Sequence, residues 1–246
     1  MRKLFSFTII FALFSFVQGQ LLGPILMSQA SGGAAAPTFI QQCVSQGGAS
    51  TTFTCSAWSV GNVTAGNWIV GGAGWFSATD TLTSVAATCV TGNLTLVDNP
   101  TVNSSAGYST AGFYGKVNAT GSCTITGTIT GADYGSIIEA HEIHGAAAST
   151  PLDGHSANAL GYGVTPLTSN AATTTVNNDY IFGYGLNGCP TLFAAGSGFT
   201  LRITGSGVYN GAATEDEAQA TAGSVAAIFT GGCASYNNVG MMAFHP

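Results

Sequence analysis

Cys123-Thr124-Ile125-Thr126-Gly127-Thr128-Ile129-Thr130 alternates apolar residues with hydroxyl residues and glycine. Side chains on an extended chain point to opposite faces in turn, so a period of two marks a strand with one buried and one polar face. The same short, β-branched pattern recurs on both sides of it. Further strands are expected at 38–44, 51–58, 67–72, 81–88, 94–97, 108–117, 136–144, 173–176, 180–185, 199–204, 224–230 and 240–244. Gly, Asn and Asp separate them, as turn chemistry requires. The Gly47-Gly48 turn is expected to pair 38–44 with 51–58, and Asp98-Asn99-Pro100 to stop the strand before it. Asp153-Gly154 reads as a turn. Segment 214–222 fits either a helix N-capped by Thr214 or a strand or loop with exposed acids. The pattern predicts one all-β domain over 38–246, an antiparallel β-sandwich of jelly-roll type, with no internal repeat of fixed period.

Residues 1–20 have the form of a secretory signal peptide. Arg2 and Lys3 precede the apolar run 4–17, and Val17-Gln18-Gly19 offers a cleavage point near Gly19 or Gln20. The run is shorter than the ~20 residues that span a bilayer. Residues 21–37 read as a flexible N-terminal arm. Of the four Lys and Arg residues, only Lys116 and Arg202 follow the leader, whereas all ten acids do, a formal charge of 2 − 10 = −8. Two cations cannot form a phosphate-binding groove, so nucleic acid is excluded as a partner, and anionic membrane surfaces are disfavoured. Exported chains oxidise their thiols, and six cysteines allow 15 pairings. Joining neighbours along a meandering chain gives Cys43–Cys55, Cys89–Cys123 and Cys189–Cys233.

Several motifs follow one another in an ordered series. Thr64-Ala65-Gly66-Asn67 leads into Trp68-Ile69-Val70, and Leu94-Thr95-Leu96-Val97-Asp98 into Phe113-Tyr114-Gly115-Lys116-Val117. Ala140-His141-Glu142-Ile143-His144-Gly145, Thr150-Pro151-Leu152-Asp153 and Asn178-Asp179-Tyr180-Ile181-Phe182-Gly183 come next. Gly196-Ser197-Gly198-Phe199-Thr200-Leu201-Arg202, Glu215-Asp216 and Ala243-Phe244-His245-Pro246 close the series. In content and order it resembles a widespread, uncharacterised class of exported bacterial β-sandwich (jelly-roll-like) domains of surface, adhesin-like and phage-associated proteins. The resemblance implies the fold, an extracellular or cell-surface location and a binding role; it implies no activity. The cysteines, and a histidine where the class has an aromatic beside Glu142, depart from its pattern.

Glu139-Ala140-His141-Glu142-Ile143-His144 invites comparison with the zinc-protease pattern H-E-x-x-H, but its two histidines are three apart, and on a strand Glu139 and His141 share one face while Glu142 and His144 share the other. Loop acids suit a structural calcium ion, which takes six to eight oxygens; Glu142, Asp153 and Asp216 are the candidate ligands. Trp75, after a glycine run, is the candidate exposed aromatic for stacking on a sugar. Arg202, expected to pair with Asp216 or Glu215, is the candidate contact for an acidic ligand. N-x-S/T sequons stand at Asn62, Asn93, Asn103 and Asn118. No G-x-S-x-G elbow and no resolved carboxylate pair points to a hydrolase. The expected function is therefore non-catalytic: adhesion, assembly or glycan binding by a secreted protein. The alternatives are a filament or virion subunit that uses its arm for strand exchange with a neighbouring copy, and a carbohydrate-active enzyme.

Overall fold

In the computed structural model, residues 33–133, 135–188, 193–206, 211–231 and 235–246 are described. The leader, residues 21–32 of the arm, and Cys189 and Cys233 with their expected pairing lie outside them. The first eight strands are β1 (Thr38–Gln46), β2 (Ser50–Cys55), β3 (Trp68–Trp75), β4 (Leu82–Ala87), β5 (Thr95–Asn103), β6 (Tyr108–Lys116), β7 (Ile125–Asp133) and β8 (Ile137–His144). They make an inner sheet ordered β1-β8-β3-β6-β5 and an outer sheet ordered β2-β7-β4. Ten more follow: β9 (Leu152–Leu160), β10 (Leu167–Thr168), β11 (Ala172–Thr173), β12 (Asp179–Asn187), β13 (Phe193–Ala195), β14 (Thr200–Ser206), β15 (Gly211–Gln219), β16 (Ser224–Val225), β17 (Ile228–Gly231) and β18 (Asn237–Phe244). Their inner sheet runs β9-β18-β12-β15-β14, and their outer strands pair as β10-β17-β13 and β11-β16. Every pairing is antiparallel, and the described residues include no helix.

The two inner orders are one pattern used twice. β9, β18, β12, β15 and β14 take the places of β1, β8, β3, β6 and β5, and β10-β17-β13 takes that of β2-β7-β4. Each half is thus an antiparallel sandwich with a strand order compatible with a jelly roll. The single sandwich expected over 38–246 is two such sandwiches within one compact unit, Gly33–Pro246. The inner sheets pack face to face, β3 on β12, β6 on β18, β8 on β15, β5 on β9 and β1 on β14. Since β1 stacks on β14 and not on its counterpart β9, the halves are related by an approximate twofold axis through β3 and β12. The repeat escaped the sequence because equivalent positions share backbone placement, not residue identity.

Three apolar layers follow from this stacking. Phe53, Ile69, Phe113, Ile125 and Ile138 fill the first sandwich. Ile181, Phe229, Val239 and Met241 fill the second. Trp68, Ile143, Tyr180, Phe182, Tyr184 and Phe244 fill the space between halves. Strands β3, β12 and β18 are buried along their whole length. A strand covered on both faces loses the polar half of its alternation, which is why β3 reads Trp-Ile-Val-Gly-Gly-Ala-Gly-Trp. Its glycines leave room for large partners: a Cβ on Gly72 would lie 2.8 Å from the Tyr184 ring, and one on Gly240 only 2.1 Å.

Other local expectations change for physical reasons. β1 and β2 do not form a hairpin. β1 pairs with β8 and β2 with β7, and the Cys43–Cys55 disulfide bridges the two sheets. The Cys89–Cys123 disulfide is also formed as expected. Asp98-Asn99-Pro100 does not end its strand; β5 absorbs it as an irregularity between Val97 and Thr101. Asp153-Gly154 lies within β9, paired to β18, instead of turning. Segment 214–222 enters the sheet as β15, because Glu215 and Asp216 find buried partners there.

Substituting Gly240→Ala drives a methyl into the Tyr184 ring. An expected loss of about 1–3 kcal/mol, the usual range for overpacking, would be read from urea unfolding of the variant against the parent protein.

Candidate functional site

Strand alternation divides the β8 run as expected. Glu139 and His141 face the second half, while Glu142 faces the first sandwich. His141 is fully buried. Its Nδ1 lies 2.8 Å from the Tyr180 hydroxyl and its Nε2 2.7 Å from Thr214 Oγ1, so neither ring nitrogen is open to a metal. Phe39 and Phe182 meet the imidazole edge-on, with centroids at 4.9 and 4.8 Å. Burial first, and the Arg202 charge second, hold its pKa well below the usual histidine range, so the ring is neutral.

Arg202 Nε donates to Asp216 Oδ2 at 2.5 Å and Nη2 to Oδ1 at 3.0 Å, the pairing expected from sequence. The fork geometry fits a carboxylate through two parallel bonds. The guanidinium also lies 4.1 Å over the Phe39 ring. Together with Pro37, Tyr180 and Glu217, these residues line an open cleft of about 280 Å³.

A second cleft, of about 400 Å³, is lined by Trp68, Tyr114, Lys116, Asn93, Asn118 and Thr95 among others. Lys116 Nζ donates to the Ala148 carbonyl at 3.0 Å and sits 5.8 Å over the Trp68 ring. The tilted Trp68 and Tyr114 rings are 6.1 Å apart. No carboxylate lines this cleft. The two clefts occupy equivalent places in the two halves. Trp68 pairs with Lys116 at one, and Tyr180 with Ala218 at the other. Tyr114 then corresponds to Asp216, and Pro151 to Thr38. Each of the two cations that follow the leader lines one of them.

Trp75 is not the exposed aromatic. It is fully buried, and its indole N–H donates to the Asp80 carbonyl at 2.9 Å. A strand sandwiched on both sides leaves no exposed face at that position, and Trp68, at the strand's start, borders the cleft instead. Two of the sequons, Asn93 and Asn118, line the cleft, whereas Asn103 is 6% exposed and donates to the Leu160 carbonyl at 3.1 Å, so a glycan cannot be accommodated there.

The three candidate calcium ligands do not come together. Glu142 accepts from Gln41 Nε2, from the Thr64 amide at 2.7 Å and from Asn67 Nδ2 at 2.7 Å. Thr64 and Asn67 thereby tie the segment between β2 and β3 to β8, and Gln41 ties β1 to it. Asp216 is held by Arg202. Asp153 accepts the Thr175 amide and hydroxyl and, at 3.1 Å, the Val176 amide. Among the described residues, no group of three or more His, Cys, Asp or Glu gathers as a metal centre. Asp153 does face one acid that the sequence reading passed over, Asp179. Burial raises the Asp153 carboxyl, but the hydrogen bonds from Thr175, Val176 and Asp179 outweigh it and hold its pKa below the usual range. Burial, then the facing Asp153, pushes Asp179 up to about 7, with His245 acting in the opposite direction.

Other acids serve the interior. Glu215 accepts the Gly196 amide at 3.0 Å and the Ile228 amide at 2.8 Å. It stands where the first half has Phe113, over Gly183 instead of Gly71. Burial pushes it to about 7 despite those two donors. Burial likewise raises Glu139 well above the carboxylate range.

Among the described residues, no helix is long and apolar enough to cross a membrane. The two disulfides fit an oxidising environment. Comparison with known proteins finds no matching family model, no matching curated protein and no matching solved structure.

Glu215 gives the molecule a pH response of known sign. Its folded pKa, about 7, exceeds the ordinary 4.5, so the stability present below pH 4.5 is progressively lost as pH rises through 7. Thermal melts should show the protein more stable near pH 5 than near pH 8. Glu215→Gln should flatten that difference by an amount on the order of 2–3 kcal/mol.

Proposed function

We propose that the chain is an exported, non-catalytic extracellular or cell-surface protein that binds glycans through the Lys116 cleft. The observation that carries this reading is the lining of that cleft. In a chain with ten acids and only Lys116 and Arg202 after the leader, it holds Trp68, Tyr114, Asn93, Asn118 and Lys116 without a carboxylate. Aromatic faces suit the apolar faces of sugar rings, amides and hydroxyls suit their hydroxyls, and a few convergent polar groups set orientation. Hydrolysis of a glycosidic bond ordinarily needs two carboxyls across the substrate, so this lining favours binding over turnover. The leader-like segment 1–20 and the two disulfides support export.

A glycan array with the mature protein, followed by calorimetry on the hits, tests this. Tyr114→Ala and Lys116→Ala should each weaken binding at least about tenfold, about 1.4 kcal/mol. Sustained product release from a bound glycan, or no binding across the array, overturns the reading.

One observation favours self-assembly as a second role. β1 is an edge strand of its sheet, and it exposes Ile40 and Val44 directly after the arm. Trp58 and Ser59 bridge that edge at Cys43 and Gln42, and the rest of it is a template for another chain's strand. Deleting 21–32 should reduce particle mass in light scattering if the arm joins copies; an unchanged monomer before and after counts against it.

A further inference from the structure

The two halves fasten the same segment by different chemistry. Asn67 precedes Trp68, which pairs with Ile143 of β8; Asp179 precedes Tyr180, which pairs with Phe244 of β18. Asn67 and Asp179 are therefore equivalent, as are His144 and His245. In the first half the amide satisfies both neighbours. Asn67 Nδ2 donates to Glu142 at 2.7 Å, and Oδ1 lies 2.9 Å from His144 Nδ1. In the second half the position is a carboxyl, and it faces another carboxyl, Asp153.

Asp179 is fully buried, and neither of its oxygens receives a hydrogen bond from a nitrogen or hydroxyl donor. Its equivalent's other partner is missing too. His245 is turned away, with Nε2 2.8 Å from the Thr150 carbonyl and Nδ1 3.1 Å from the Pro246 carbonyl. Asp153 brings its own donors, all from Thr175 and Val176, and these sit in the segment joining β11 to β12. The two facing carboxyls can share one proton, and once that proton is lost only a cation between them offsets the repulsion of like charges in a desolvated place. Oxygen ligands of this kind select a hard cation, and calcium accepts irregular sets completed by carbonyls and water.

We propose that Asp153 and Asp179 together hold a calcium ion, which pins the 174–178 segment to β9. The site is separate from the glycan reading, since neither acid lines the Lys116 cleft. The ion does in the second half what the Asn67 amide does in the first.

The test uses the mature protein, stripped with a chelator, at pH 8. Calcium chloride at about 5 mM, well above the dissociation constants of extracellular sites, should raise the melting temperature by about 2–4 °C. Sodium chloride of equal ionic strength should not. Asp179→Asn restores the amide of the first half, so it should fold, melt higher than the parent protein without calcium, and lose the calcium shift. Asp153→Asn should lose the shift as well. The proposal is overturned if calcium leaves the parent protein's melting temperature unchanged, if sodium chloride reproduces the shift, or if Asp179→Asn retains it. A parent protein indifferent to calcium beside a stabilised Asp179→Asn would show that a shared proton satisfies the pair. Glycan binding measured on the same samples keeps the two readings apart.

Discussion

The molecule depends on two five-stranded sheets that bury their faces against each other. Each inner sheet already covers one side of its own sandwich, so the stacking leaves β3, β12 and β18 without a wet face. Their backbone groups are satisfied by neighbouring strands, and their side chains need only fit. Fit is achieved by alternating extremes of size. Tyr184 from one half fills the space above Gly72 of the other, beside Gly240 of its own sheet. Interiors pack at crystal-like density, so a single added methyl is felt. The glycine-rich runs, which resemble loop punctuation, are where the core is deepest.

Much of this was legible in the residues. Period-two patterning placed most strands within a few residues of their observed bounds, and two disulfides follow from neighbour pairing. Pairing partners were not legible, because local pattern says which residues lie on a face and not which strand lies beside it. β2 shows this: a Gly-Gly turn suggests a hairpin, yet β2 crosses to the outer sheet. β9 was missed because Asp153-Gly154-His155 carries turn residues that the sheet overrides through pairing with β18. Of the site, Arg202 with Asp216 could be read from scarcity, since the sole arginine past residue 20, among ten acids, finds one. Trp75 was misread because exposure after glycines is a local argument and burial on both faces is a tertiary fact. Asp179 carries no sequence signal until Asn67 is recognised as its counterpart.

A chain this poor in Lys and Arg satisfies several of its acids with backbone amides. Glu142, Asp153 and Glu215 all accept backbone N–H groups, and each thereby fixes a loop to a strand. A carboxylate accepts several bonds at once, so one acid can replace several neutral contacts. This arrangement also makes the protein's electrostatics local, set by donor geometry more than by ion pairs, and so less sensitive to ionic strength.

The approximate twofold axis has a genetic corollary. When identical chains form a symmetric dimer, any substitution appears on both sides of the axis at once. With both copies in one polypeptide, each side drifts alone. Tyr114 opposite Asp216, Phe113 opposite Glu215 and Asn67 opposite Asp179 are pairs that a homodimer could not hold. Carrying both halves in one polypeptide leaves the two ends of a symmetric scaffold free to differ.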